Sequence, residues 1–427
     1  MLKKILNHSF WLLIGNSIGR LAMFLANIFA ARMLPQEVFG QFTMIRSTIL
    51  MFEGLTSGVL SSTSTKKIAE ADHIDKNELP LIISTLFIVD IIIASILMSL
   101  IVLNAKFIVA TFFIDSVNLV TALYFGAFLL LATSLSSLTQ SILIGFEAYK
   151  KLAVISIMVS IGMIPVIFSL IYIFGLYGAL FGIASYYLCD FIFKVYHLKS
   201  ITKELQYTFS MSDIWNKIKV VMSFSLPLFV TITMSSIAFW YVRVLLVNQT
   251  NEFESIAIFD ASFQWLTIIM IITGATTNVA LPILSKAIGS QSRSVVKNIL
   301  GLNMLINMMI AVIIASIFII FSKNIMSIYG KNYIEGYNIL IILALTSIVF
   351  TTSSMFNKYM IAHNNLSVIL VNTIFSIIIL FIVFVIGFNY SVKGLAWSFF
   401  AFYSFSTFFY LLVYLLLNRE QKENINE

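Results

Sequence analysis

The run LLIGNSIGRLAMFLANIF (residues 12–29) is apolar enough for lipid, yet it carries Arg20 near its centre. A charged side chain at the middle of a bilayer costs about 2.5–3.5 kcal/mol on insertion scales. Such residues face a bundle interior or a watery cavity rather than lipid. Asn16, Arg20, Met23 and Asn27 recur at i, i+4, i+7 and i+11, which is one face of a helix. A second apolar run holds Arg46 and Glu53, seven apart and again on one face. Arg243 lies near the end of another, and Asp260, Gln264 and Thr267 follow at i, i+4 and i+7 in the next. These residues form the candidate cavity lining: Arg20, Arg46, Asn16, Asn27, Glu53, Arg243, Asp260 and Gln264. A guanidinium offers a planar fork of donors that matches a carboxylate or a phosphate.

Purely structural roles compete with that reading. Arg20 and Glu53 can pair as an internal ion bridge, and so can Arg243 and Asp260. Arg243 can also snorkel to the headgroups. Asp90, within FIVDIII, suits a buried partner on a neighbouring helix. Asp190 and Lys194, four apart near the end of an apolar run, suit an interfacial helix pair.

Other chemistries find little support. No G-x-x-x-x-G-K-[ST] motif is present, so no P-loop nucleotide site is expected. The four histidines, His8, His73, His197 and His363, fit no metal spacing, and no metal or cofactor is expected. The single cysteine, Cys189, excludes an internal disulfide and reads as a buried, inert thiol. The net charge of +7 comes from lysines scattered over short loops, with no basic block, so no nucleic-acid partner is expected.

The elements that must position these residues are membrane helices. Of 427 residues, 60% are hydrophobic and 11% charged, far from the composition of a soluble domain. Apolar runs of spanning length fall at 9–33, 38–65, 80–103, 118–146, 150–174, 177–198, 220–247, 255–285, 297–321, 336–362, 366–388 and 391–417. The first is too long for a signal-peptide core of roughly 7–15 residues and reads as a retained helix. With a cytoplasmic N-terminus, 18 of the 26 Lys and Arg fall in cytoplasmic segments, five on the other side and three (Arg20, Arg46, Arg243) inside spans. That asymmetry predicts twelve spans with both termini cytoplasmic.

Weak internal matches share one offset. Phe42 and Phe259 lie 217 apart, Lys67 and Lys286 lie 219 apart, and Gly178 and Gly394 lie 216 apart. The chain reads as a parallel duplication: an N-lobe of six spans (1–198), a basic cytoplasmic linker (199–217) and a C-lobe of six spans (218–427). The fold class is all-α polytopic, with two pseudo-symmetric six-helix lobes.

Three stretches resemble a known family. AARMLPQEVFGQF (30–42) resembles the first-loop signature of Wzx-type O-antigen and polysaccharide flippases, through Ala31, Arg32, Leu34, Glu37, Phe39, Gly40 and Phe42. Pro35-Gln36 stands where that family has Gly-Pro. QSILIGFEAYKKLAVIS (140–156) is similar to the family's junction of spans four and five, and LPILSKA (281–287) to its end of span eight. The resemblance implies the multidrug/oligosaccharidyl-lipid/polysaccharide exporter superfamily and alternating access around a cationic cavity. It implies a non-enzymatic flippase of the bacterial inner membrane. The implied substrate is undecaprenyl-pyrophosphate-linked oligosaccharide, such as an O-antigen unit. Arg20 would grip the pyrophosphate, with Arg46 as its helper. Membrane lipids and other polysaccharide assembly proteins are the implied partners. Two alternatives stand beside it. A drug/cation antiporter of the same fold would use Glu53, Asp90 and Asp260. A polytopic polysaccharide polymerase is disfavoured by the short outer loops.

Overall fold

In the computed structural model the backbone is described for residues 2–74, 78–113, 117–202, 211–289, 293–363, 365–387 and 390–426. Within those segments the side chains at 2–17, 211–228, 275–289, 293–295 and 418–426, and a few between 57 and 74 and at 117–118, lie outside the description. The described backbone is almost entirely helical, and no strand occurs in it. The helices are α1 (Leu2–Met33), α2 (Gln36–Ile74), α3 (Leu79–Leu103), α4 (Ala105–Phe112), α5 (Val117–Gly145), α6 (Tyr149–Ile201) and α7 (Met211–Thr250). They continue as α8 (Phe253–Gly289), α9 (Arg293–Ile320), α10 (Ser322–Ser327), α11 (Tyr337–Ala362), α12 (Leu366–Ile382) and α13 (Val392–Asn426). Nine helices among the described residues are long and apolar enough to cross a membrane.

The twelve expected spans map onto these helices with one fusion. Spans five and six form the single 53-residue helix α6. At 1.5 Å per residue it would reach ~80 Å, against a hydrocarbon core of about 30 Å. Gly175 breaks it, with φ 57° and ψ −125°, inside an otherwise helical stretch. A residue with a Cβ is strained at positive φ. Three residues on, a Cβ on Gly178 would lie 1.9 Å from the Leu170 carbonyl oxygen. The two glycines together let the chain turn back on itself.

Elsewhere the chain stops its helices by local chemistry. Pro35 ends the short turn before α2, and its carbonyl accepts the Phe39 N–H at 2.9 Å. Arg32 in the last turn of α1 and Glu37 in the first turn of α2 each oppose the local helix dipole. Pro80 sits in the first turn of α3, where its missing N–H costs nothing. The α5–α6 turn places Glu147 at φ 54° and returns the Ala148 N–H to the Leu143 carbonyl at 3.0 Å.

Two compact units divide the chain, residues 1–240 and 241–427, and the division falls within α7. Most of the expected 199–217 linker lies outside the described residues. In the first unit α2 packs on α3 and α5, α3 on α5, and α1 and α5 on α6. In the second, α8 packs on α9 and α11, α9 on α11, and α13 on α11 and α12. The α2–α3–α5 arrangement thus recurs as α8–α9–α11. The short helices α4 and α10 begin 217 residues apart, at Ala105 and Ser322, each after the third long helix of its half. Phe42 and Phe259, the pair that suggested the duplication, are both fully buried.

Candidate functional site

In the first unit, α1, α2, α5 and α6 enclose a cavity of about 90 Å³. Met23 and Asn27 come from α1, and Arg46, Ile49, Leu50 and Glu53 from α2. Leu129 and Thr133 come from α5, and Ile183 and Tyr187 from α6. At roughly 10–15 Å³ per water the volume suits several waters or one compact polar group. An oligosaccharide would not fit.

Helix geometry explains who meets whom. Met23 and Asn27 are one turn apart on α1, and the Asn27 amide donates to the Met23 carbonyl at 2.7 Å. That bond fixes the amide so that its Oδ1 accepts from the Arg46 guanidinium. Arg46 and Glu53, two turns apart on α2, face the same space and interact electrostatically. α2 is pinned beside them: Trp240 Nε1 donates to Thr48 Oγ1 at 2.9 Å. A Cβ added to Gly54, next to Glu53, would meet Ser236 Oγ at 3.2 Å. α1 is held on α6 by the stacked rings of Phe29 and Phe168, 3.9 Å between centroids.

Arg20 is not among the residues lining this cavity. It is exposed on α1, two turns before Asn27, and forms no hydrogen bond or ion pair among the described residues. The structural Arg20–Glu53 bridge is therefore absent there. Tyr187 lies within electrostatic reach of Arg20, Arg46 and Glu53 alike. The side chain of Asn16 lies outside the described residues.

The second unit holds three further candidate residues. Arg243 of α7 is 7% exposed, and its Nε donates to Asp260 Oδ1 of α8 at 3.2 Å. The rings of Phe259, Phe263 and Phe399 lie 5.3, 5.1 and 5.6 Å from its guanidinium carbon, within cation–π range. Snorkelling to the headgroups is thus overturned: a carboxylate and three rings already enclose the charge. Gln264 Oε1, one turn beyond Asp260, accepts from the Tyr329 hydroxyl at 3.2 Å. Arg243, Asp260 and Gln264 make internal bonds of the second unit.

Two acids of the first unit are also internal. Asp90 is fully buried, accepts from the Ser134 hydroxyl at 2.7 Å, and leaves Oδ2 without a partner among the described residues. It is the partner for a neighbouring helix that its sequence context suggested. Asp190 and Lys194 do pair one turn apart on α6. Both are buried, and Ser136 and Gln140 of α5 complete their bonding. Tyr187 and Thr133 were missed as cavity residues. The signal was the Tyr186-Tyr187 doublet deep in an apolar run, where an interfacial role is not available.

The comparisons define the class of protein. The fold matches an inward-facing MATE-family multidrug resistance transporter of the MOP superfamily, with a TM-score of 0.78 at 14% identity, covering 97% of this chain and 99% of that one. The eukaryotic MATE transporter AtDTX14 matches with a TM-score of 0.74 at 15% identity, over 97% of this chain and 96% of that one. A MOP-superfamily transporter from Pyrococcus furiosus, described by the reverse polarity of its binding pocket, matches with a TM-score of 0.71 at 16% identity, over 100% and 96%. The fold is all-α and MATE-like, with many helices of spanning length among the described residues. Residues 5–288 match the polysaccharide biosynthesis protein family, and the chain belongs to that family. No curated protein sequence matches it.

Proposed function

We propose that this multi-pass membrane protein is a flippase, not an enzyme. It carries undecaprenyl-pyrophosphate-linked oligosaccharide from the inner to the outer leaflet of a bacterial inner membrane by alternating access. The observation that carries the reading is Arg46, held by Asn27 at the edge of a small cavity in the first unit. A guanidinium there offers charge-assisted bonds to phosphate oxygens, and low dielectric strengthens the attraction. The cavity is the size of a head-group fragment, so the sugars and the lipid tail lie outside it. Arg20, exposed two turns away on the same helix as Asn27, is the second cation the diphosphate meets.

Glu53 in the same cavity favours a second reading, a drug/cation antiporter. Reconstituted vesicles separate the two. A short-chain polyprenyl-diphosphate sugar should cross faster with protein than without, and a lipophilic cationic dye should not. Dye transport without diphosphate-sugar transport would reverse the assignment.

A further inference from the structure

The Arg46 cavity carries a carboxylate as well as a guanidinium. Glu53 lies two turns along α2 from Arg46, faces the same 90 Å³ space and is itself half-buried. Taken alone, the ionised pair sums to zero charge. A diphosphate esterified at both ends brings two negative charges. Placed against Arg46, those charges sit in a low-dielectric space beside the Glu53 carboxylate, where like-charge repulsion is strong.

We infer that Glu53 takes up one proton when the diphosphate binds, so that proton and substrate occupy the site together. The inference rests on the reading of the cavity as the diphosphate site. Glu53 changes from carboxylate to carboxylic acid, the proton comes from water, and no other bond forms or breaks. The neutral acid gains an O–H that can donate to a phosphate oxygen, as only a protonated carboxyl can. Arg46 loses its intramolecular counter-charge as it gains the substrate's.

The surrounding groups leave this task to Glu53. From α2 the facing charge is Arg46, while Arg20 of α1 lies outside the lining and within electrostatic reach of Tyr187. From α6 they are Tyr186, Tyr187 and Asp190, the last already paired with Lys194. α5 contributes Leu129 and Thr133, and α7 places Ser236 beside Gly54. Asp90 of α3 is bonded to Ser134 and lines no part of the cavity. Tyrosines stay neutral and arginines charged near pH 7, which leaves Glu53 as the cavity group that can exchange a proton.

Calorimetric titration of the detergent-solubilised full chain tests this. The probe is a short-chain polyprenyl-diphosphate N-acetylhexosamine, which has no proton of its own to exchange near neutrality. Titration in buffers of different ionisation enthalpy counts the protons. Wild type should take up close to one proton per ligand, with affinity falling up to about tenfold per pH unit where Glu53 is ionised in the empty site. Glu53→Gln should bind with no proton uptake and no such slope. Asp90→Asn, outside the cavity, should keep both. Binding with no proton uptake in wild type, or with undiminished uptake in Glu53→Gln, would overturn the inference and leave the diphosphate site standing. No binding by wild type, or binding undiminished in Arg46→Ala, would overturn the site and the inference with it.

Discussion

Arg46 of α2 donates a hydrogen bond to Asn27 of α1, and the pair borders a cavity. The second half of the chain also joins its first two long helices through an arginine. Arg243 and Asp260 join α7 to α8, the first two long helices of that half. The duplicated scaffold thus holds a guanidinium between its first and second helices twice. One borders open space; the other is enclosed by a carboxylate and three phenylalanine rings. The guanidinium comes from the second helix of the pair in one half and from the first in the other.

The enclosed pair should be structural. Removing one partner of a buried pair costs about 3–5 kcal/mol, because the other charge is left unpaired. Asp260→Ala should lower the thermal midpoint in detergent sharply, or prevent accumulation. The double variant Arg243→Met with Asp260→Leu should recover most of the loss. A normal midpoint for Asp260→Ala would mean that water reaches Arg243.

The acid at Asp90 should tolerate loss of its charge. It is fully buried, and its one hydrogen-bond partner among the described residues is the Ser134 hydroxyl. Asparagine keeps an acceptor for that hydroxyl and removes an ionisable group from a low-dielectric site. Asp90→Asn should melt at or above the wild-type temperature, whereas Asp90→Ala, which strands Ser134, should melt lower. A destabilised Asp90→Asn would point to an ionised Asp90 with a counter-charge.

The break in α6 should be intolerant of a methyl group. A Cβ on Gly178 would sit 1.9 Å from a backbone oxygen, which cannot move aside cheaply. Gly178→Ala should reduce folded protein in membranes far more than Gly162→Ala, where a Cβ meets nothing within 4 Å. Equal membrane levels for the two variants would contradict this geometry.

Much of this was legible in the residues. Composition and run length gave the membrane helices, and one shared offset gave the duplication. Polar faces picked out Asn27, Arg46 and Glu53, which do meet. The sequence also ranked Arg20 above Arg46, and the structure places Arg46, not Arg20, at the cavity. The stripe Asn16 to Asn27 runs over eleven residue steps, roughly 16 Å of helix. A stripe that long passes through more than one environment, and periodicity alone does not say where a cavity closes along it. Arg243 differs for a related reason: distance to the span end does not show its enclosure, because Phe259, Phe263 and Phe399 are supplied by two other helices, α8 and α13. The break at Gly175 hid a span boundary because the chain stays helical on both sides.

Topology is a separate expectation, from the loop charges. A reporter fused at Lys203 should register as cytoplasmic, and one at Asn251, in the α7–α8 turn, as external. The reverse pattern would invert the orientation and with it the side on which substrate loads.

The central claim is that the Arg46 guanidinium grips the substrate's diphosphate. Its most direct test is flipping of a short-chain polyprenyl-diphosphate oligosaccharide in proteoliposomes, with wild type, Arg46→Lys and Arg46→Ala reconstituted at equal levels. Hydrogen bonds to a charged group are worth about 1.5–3 kcal/mol, or roughly 10–100-fold in rate. The account predicts a loss in that range for Arg46→Ala and a substantial part of it for Arg46→Lys, which keeps the charge without the planar fork. Wild-type flipping by Arg46→Ala would contradict it.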